Sequence, residues 1–147
     1  KKELAKNYGA TNVINYAREN FVEKIRDITQ GRGVDVVFDS VGASTFYQSI
    51  QSLKKYGLMV SYGNASGKVS AFDLGLLSGH LFITRPTLWS YVATRKELEV
   101  TFGELLQLVM LNKIRIPIYQ KKPLQDVVAL HKLMEERRTT GCSILTV

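Results

Sequence analysis

The sequence is short of cysteine, histidine, proline and tryptophan: among 147 residues there are one Cys, two His, three Pro and one Trp. A single thiol, Cys142, excludes a disulfide scaffold, and no paired Cys/His spacing supports a structural zinc site. His80 and His131 lie far apart, which leaves no His-Glu-x-x-His motif and no Cys–His pair for a catalytic metal or a thiol nucleophile. No apolar run approaches the roughly 18 residues that a membrane span needs, and Lys1–Lys6 carries no signal-like apolar region. These absences set the expectation of a soluble, reduced, cytoplasmic chain with no bound metal and no membrane contact. Acidic residues are also in deficit, 13 against 20 Lys and Arg, for a net charge of +7. That surplus suits an anionic partner, and at this length it is equally an ordinary solubility charge.

What is present is alternation. Val13–Tyr16 reads as a short strand after Gly9, which stops a helix carrying Leu4 and Tyr8 one turn apart. Asn20 with Glu23 three residues on opens a helix that repeats Phe21, Ile25 and Ile28 on one face, and Gly31-Arg32-Gly33 ends it. Val34–Phe38 is a nearly continuous apolar strand, of the kind buried on both faces of a parallel sheet. A helix over Ser44–Lys55 should turn Phe46, Ile50 and Leu53 inward, followed by strands at Leu58–Ser61 and Leu81–Thr84. A long helix from Arg95 to Asn112 should bury Leu98, Phe102, Leu105 and Val109. Ile116–Tyr119 is extended, Pro123 opens a helix through Leu124, Val127, Leu130 and Met134, and Ile144–Val147 closes the chain as a strand. Strand and helix in turn predict an α/β parallel sheet with right-handed crossovers.

Ligands on such sheets gather at the C-terminal ends of the strands. Here those ends are Tyr16, Asp39–Gly42, Tyr62-Gly63-Asn64 and Thr84-Arg85, each running into turn-forming residues. A dinucleotide fold should also carry a Gly-x-Gly-x-x-Gly turn between a strand and a helix. The only Gly-x-Gly, at 31–33, has Val36 in the third position and leads into a strand, so it is rejected. Asp39-Ser40 lacks the Gly-x-Ser-x-Gly elbow of a nucleophile. The chain opens inside a helix, with no Met and no cap, which is expected of a sequence that begins part-way through a domain. The basic pairs Lys121-Lys122 and Arg137-Arg138 raise weak nucleic-acid binding as an alternative function, without an accompanying recognition motif. The Leu81–Thr84 strand raises another, a non-catalytic dimerisation or interaction module.

Five stretches resemble the zinc-independent quinone oxidoreductases of the medium-chain dehydrogenase/reductase superfamily. They are Gly9–Tyr16, Ile28–Gly42, Gly57–Gly67, Thr84-Arg85-Pro86 and Glu135–Gly141. The similarity runs in order along the whole chain and corresponds to about the C-terminal half of a family member. It implies a Rossmann-type parallel sheet with flanking helices that lacks its first βαβ part. Residues 1–115 would form a partial dinucleotide-binding domain. Residues 116–147 would return toward a catalytic domain that lies outside this sequence.

The resemblance further implies NADPH-dependent reduction of quinones or related conjugated carbonyls by a homodimer that pairs through Leu81–Thr84. Position by position, Lys1 and Tyr16 match residues facing the adenosine ribose and its 2′-phosphate, where a lysine is a suitable point charge. Val41 and Gly42 end the strand beside the ribose–nicotinamide portion. Tyr62 and Asn64 match the aromatic-Gly-Asn turn along the nicotinamide. Arg85 matches an arginine after the dimer strand, and Arg137 one near the cofactor in the closing segment. No catalytic residue is assigned, because the family's tyrosines and asparagine beside the substrate fall outside this chain. The chain alone is expected to be inactive.

Overall fold

The computed structural model describes residues 1–147. Its contacts divide the chain into two compact units, one of residues 2–91 and one of residues 92–147 together with Lys1.

In the first unit, helix α1 (Lys2–Asn7) ends at Gly9, whose φ of 98° only glycine adopts readily. Helix α2 (Phe21–Ile28) starts where the Asn20–Glu23 pattern places it: the Asn20 side chain accepts from the Val22 and Glu23 N–H groups, and its amide donates to Glu23 (2.9 Å). Strand β1 (Val34–Asp39), helix α3 (Phe46–Gln51), strand β2 (Leu53–Ser61) and strand β3 (Phe82–Thr84) follow. The strands form one parallel sheet in the order β1-β2-β3. Register explains the core. Val37, Met59 and Ile83 stand side by side on one face of the sheet. That face is covered by Phe46 and Ile50 of α3 and by Val69 and Phe72, leaving Met59 with no exposed surface. A side chain buried in this way contributes about 1.5–3 kcal/mol.

Three expectations change here. β1 is buried on one face only: Val36 and Phe38 point to the opposite face and are 42% and 71% exposed, because no helix of this unit covers that side of an edge strand. Val13–Tyr16 is not a strand, since it makes no ladder with any neighbour and a strand exists only by pairing. The Ser44–Lys55 helix is cut to α3, and Leu53 is buried as the first residue of β2, where it pairs with Val34.

Helix α4 (Leu88–Tyr91) closes the first unit, and the second opens with helix α5 (Arg95–Met110). α5 opens on a capping box in which Thr94 and Glu97 each bond the other's backbone N–H. Its apolar stripe is not buried as expected: Leu98, Phe102 and Leu105 remain exposed and the helix holds no buried residue. Strands β4 (Ile118–Pro123) and β5 (Cys142–Thr146) form a separate two-stranded parallel sheet, linked by helix α6 (Val127–Glu135), whose Leu130 is buried. The α/β reading with parallel sheets and flanking helices therefore holds, with the strands distributed over two sheets instead of one.

Candidate functional site

The C-terminal ends of β1 and β2 are tied together by the backbone. Tyr62 N donates to Asp39 O (2.9 Å), Ala65 N to Ser40 O (3.3 Å), Ser66 N to Val41 O (2.7 Å) and Ala43 N to Gly67 O (3.1 Å). The Ser66 hydroxyl adds a bond to Val41 O (2.8 Å) and accepts one from Ser44 N (3.0 Å). Two glycines make this approach possible. A Cβ on Gly42, at φ 88°, would lie 2.7 Å from Gly67 O, and one on Gly63 would run into the Ser40 backbone.

Asp39 organises the turn from below. Its side chain is almost fully buried, 4% exposed. One oxygen accepts from Val41 N (2.8 Å), Gly42 N (3.0 Å) and Thr45 Oγ1 (3.0 Å), the other from Thr45 Oγ1 (2.8 Å) and Ser49 Oγ (2.8 Å). Burial by itself would push the carboxyl pKa up. The bonds from Gly42 N–H, Ser49, Thr45 and Val41 N–H outweigh it and hold the pKa below the ordinary value. The carboxylate thus sits at the start of α3 as a fixed negative charge, favourable to the helix dipole.

Beside this turn lies a cleft of about 470 Å³, walled by Ile14, Tyr16, Phe21, Val37, Phe38 and Val41. Tyr16 and Phe21 meet edge to face at 6.5 Å. On the other side, Arg85 closes the β3 end against the 61–64 turn. Its Nη1 donates to Ser61 O (2.8 Å) and Gly63 O (3.3 Å). With the Asn64 amide oriented by its partners, Asn64 Oδ1 accepts from Arg85 Nη2 (3.0 Å) and its nitrogen donates to Gly63 O (2.9 Å).

Of the residues singled out from the sequence, Val41, Gly42, Tyr62, Asn64 and Arg85 gather at the strand ends, and Tyr16 lines the cleft with Val41. Lys1 and Arg137 belong to the other unit, where Lys1 Nζ donates to Arg137 O (2.5 Å) and Arg137 takes the left-handed backbone at φ 58°. Sequence reasoning missed Thr45, Ser49 and Ser66. For Thr45 and Ser49 the signal was a pair of hydroxyl residues four apart after a strand-end Asp, a spacing that is common and that only closure of the turn gives a partner; Ser66 carried no such signal.

The chain matches the sequence pattern of the zinc-binding dehydrogenase family over residues 8–145. It belongs to that family. Quinone oxidoreductase 1 of Escherichia coli (strain K12) is 43% identical over 99% of this chain and 46% of its own length. A 2-haloacrylate reductase from Burkholderia sp is 38% identical over 99% of this chain and 44% of its own length. Among solved structures, the Escherichia coli quinone oxidoreductase complexed with NADPH superposes with a TM-score of 0.92 at 42% identity, covering 99% of this chain and 46% of that one. The chain therefore spans a little under half the length of these relatives, and its fold is that of their Rossmann-like cofactor domain.

Proposed function

We propose that residues 2–91 form the nicotinamide-cofactor half-site of an NADPH-dependent quinone oxidoreductase. The observation that carries this reading is the interlocked crevice at the ends of β1 and β2, which brings Val41, Gly42, Tyr62 and Asn64 together. The residues fit such a cofactor in part. The cleft offers the apolar wall of Tyr16 and Val41 for a ribose or base, and the Gly42 backbone, without a Cβ, admits close approach. When bound, NADPH supplies a hydride. Within residues 2–91, Tyr16 would face the adenosine end and Tyr62 and Asn64 the nicotinamide, with Arg85 holding the 61–64 turn in place; Lys1 and Arg137, which belong to the other unit, are cofactor contacts by family resemblance. The acceptor in the full enzyme is a quinone or another conjugated carbonyl, in keeping with the names of the relatives.

The same proposal covers the finer points. Residues 1–115 serve the cofactor and 116–147 return toward a catalytic domain. The enzyme is zinc-independent and cytoplasmic. No three His, Cys, Asp or Glu side chains of this chain gather into a ligand set, so a metal would have to be held elsewhere in a longer protein. The subunits form a homodimer through the open edge of β3. The 147 residues by themselves do not turn over, since they contain no Gly-x-Gly-x-x-Gly turn to hold the pyrophosphate.

The test is an amide-resolved NMR titration of the 147-residue chain with NADPH, with NADH as control. Millimolar NADPH should move the resonances of Tyr16, Val41, Gly42, Tyr62 and Asn64, with calorimetry silent at micromolar concentration. Shifts confined to other residues, or none at saturation, would refute the half-site. NADPH oxidation with benzoquinone that depends on this chain would refute the absence of turnover.

A further inference from the structure

A second cavity, of about 450 Å³, opens beyond Arg85 on the face of the sheet that α3 covers. Its floor is apolar: the rings of Phe46 and Phe72, 5.1 Å apart between centroids, with Val69 and Ile83 beside them. Two cations line it, Lys68 and Arg85, and no carboxylate does. The nearest acid along the chain, Asp73, is committed to its own turn, where it accepts from Gly75 N (2.8 Å). Arg85 is fixed through Nη1 and Nη2 and keeps its charge over the cavity. Lys68 makes no hydrogen bond and no ion pair, so its ammonium is the free donor of the site.

We propose that this cavity binds a small organic carboxylate with a flat apolar body, the acid group held by Lys68 beside Arg85 and the body resting on Phe46 and Phe72. Its size is that of a small-ligand pocket. Two cations without an acid favour an anion over a neutral molecule. The four apolar residues favour a carboxylate on a hydrocarbon frame over inorganic phosphate, which would want a fan of backbone N–H groups that no helix start provides here. The site shares Asn64 and Arg85 with the cofactor half-site but does not depend on it, and it adds a ligand class that the half-site does not contain.

Benzoate is the probe, titrated into the ¹⁵N-labelled 147-residue chain, with benzamide as the neutral isostere and inorganic phosphate as the bare anion. Benzoate should give saturable shifts at Val69, Ile83 and Thr84, benzamide and phosphate none at equal concentration. Lys68→Met should weaken benzoate about tenfold, the worth of one charge-assisted contact. Because Lys68 is exposed and unpaired, this variant keeps the fold, and an unchanged thermal melt verifies that. Equal shifts from benzamide or phosphate, or an unchanged benzoate affinity in Lys68→Met, would overturn the site. NADPH in a parallel titration separates the two readings. Shifts at Tyr16 and Val41 without a benzoate response leave the half-site standing and remove the carboxylate site. The reverse pattern does the opposite. NADPH shifts at Val69 and Ile83 with no benzoate response give the cavity to the cofactor and overturn the proposal.

Discussion

Removing the Asp39 carboxylate should destabilise the 2–91 unit by an amount that follows from its partners. Asp39→Ala takes the acceptor away from four donors: the N–H groups of Val41 and Gly42 and the hydroxyls of Thr45 and Ser49. The hydroxyls can turn elsewhere; Thr45 Oγ1 already lies 3.3 Å from Gly42 O. The two backbone N–H groups cannot, and each buried donor left unpaired costs about 1–3 kcal/mol. A loss of about 3 kcal/mol is expected. Asp39→Asn keeps one oxygen for Val41 and Gly42 and presents an NH₂ group to Thr45 and Ser49, whose oxygens can accept, so the loss should be nearer 1 kcal/mol.

The pH dependence separates this account from a simple cavity. The folded-state pKa of Asp39 is lowered, so its charge contributes fully above the ordinary carboxylate pKa of about 3.9. That contribution is lost as pH falls through the depressed folded value. Urea unfolding followed by far-UV circular dichroism at pH 6 and pH 3 measures it. The gap between wild type and Asp39→Asn should be open at pH 6 and narrowed at pH 3. An Asn variant as stable as wild type at pH 6, or a gap that does not change down to pH 3, would refute the argument that a charged, fully bonded carboxylate holds this turn.

Two further perturbations probe the strand ends and the sheet edge. Gly42→Ala combines φ 88° with a Cβ 2.7 Å from Gly67 O; it should cost about 2 kcal/mol and abolish the NADPH shifts at Val41, and an unperturbed urea midpoint would show that the 63–67 turn yields freely. Phe82→Glu puts a charge on β3, where Phe82 is 58% exposed beside an open edge. If the chain pairs through that edge, sedimentation velocity should show a wild-type dimer and a variant monomer, and a variant that still sediments as a dimer would rule the edge out.

Local signals were the legible part. The Asn20–Glu23 start of α2 and the glycine stop at Gly9 depend on neighbours within a few residues, and both are realised. What depends on a distant partner was not legible. Val13–Tyr16 has the composition of a strand and no strand to pair with. The Asp39 network joins residues up to ten apart that touch only once β1 and α3 are in place.

The family positions show the same division. Val41, Gly42, Tyr62 and Asn64 converge because two turns with glycine at their tightest points lock together. Arg85 follows directly on β3, and its guanidinium is occupied by the 61–64 turn, a use no linear motif reveals.

The uncovered face of the sheet is the most informative mismatch. An apolar run such as Val36-Val37-Phe38 states what a strand is suited to pack against on both sides. The register of β1, β2 and β3 shows which side is satisfied here. Val37, Met59 and Ile83 are covered, whereas Val36 and Phe82 in one row and Phe38 in the next stand exposed. Large exposed apolar patches on a parallel sheet mark surfaces suited to a further layer, and the residues that would supply one to this unit are not among the helices that pack against it. If that is the physical reason for the pattern, Phe38→Ser should cost far less than Met59→Ala. Met59→Ala opens a void in the covered face and should cost about 2–5 kcal/mol, while Phe38→Ser exchanges one solvent-exposed side chain for another and should leave the urea midpoint nearly unchanged. Comparable losses from the two variants would mean that the open face is packed in solution, and that the covering layer is already within this chain.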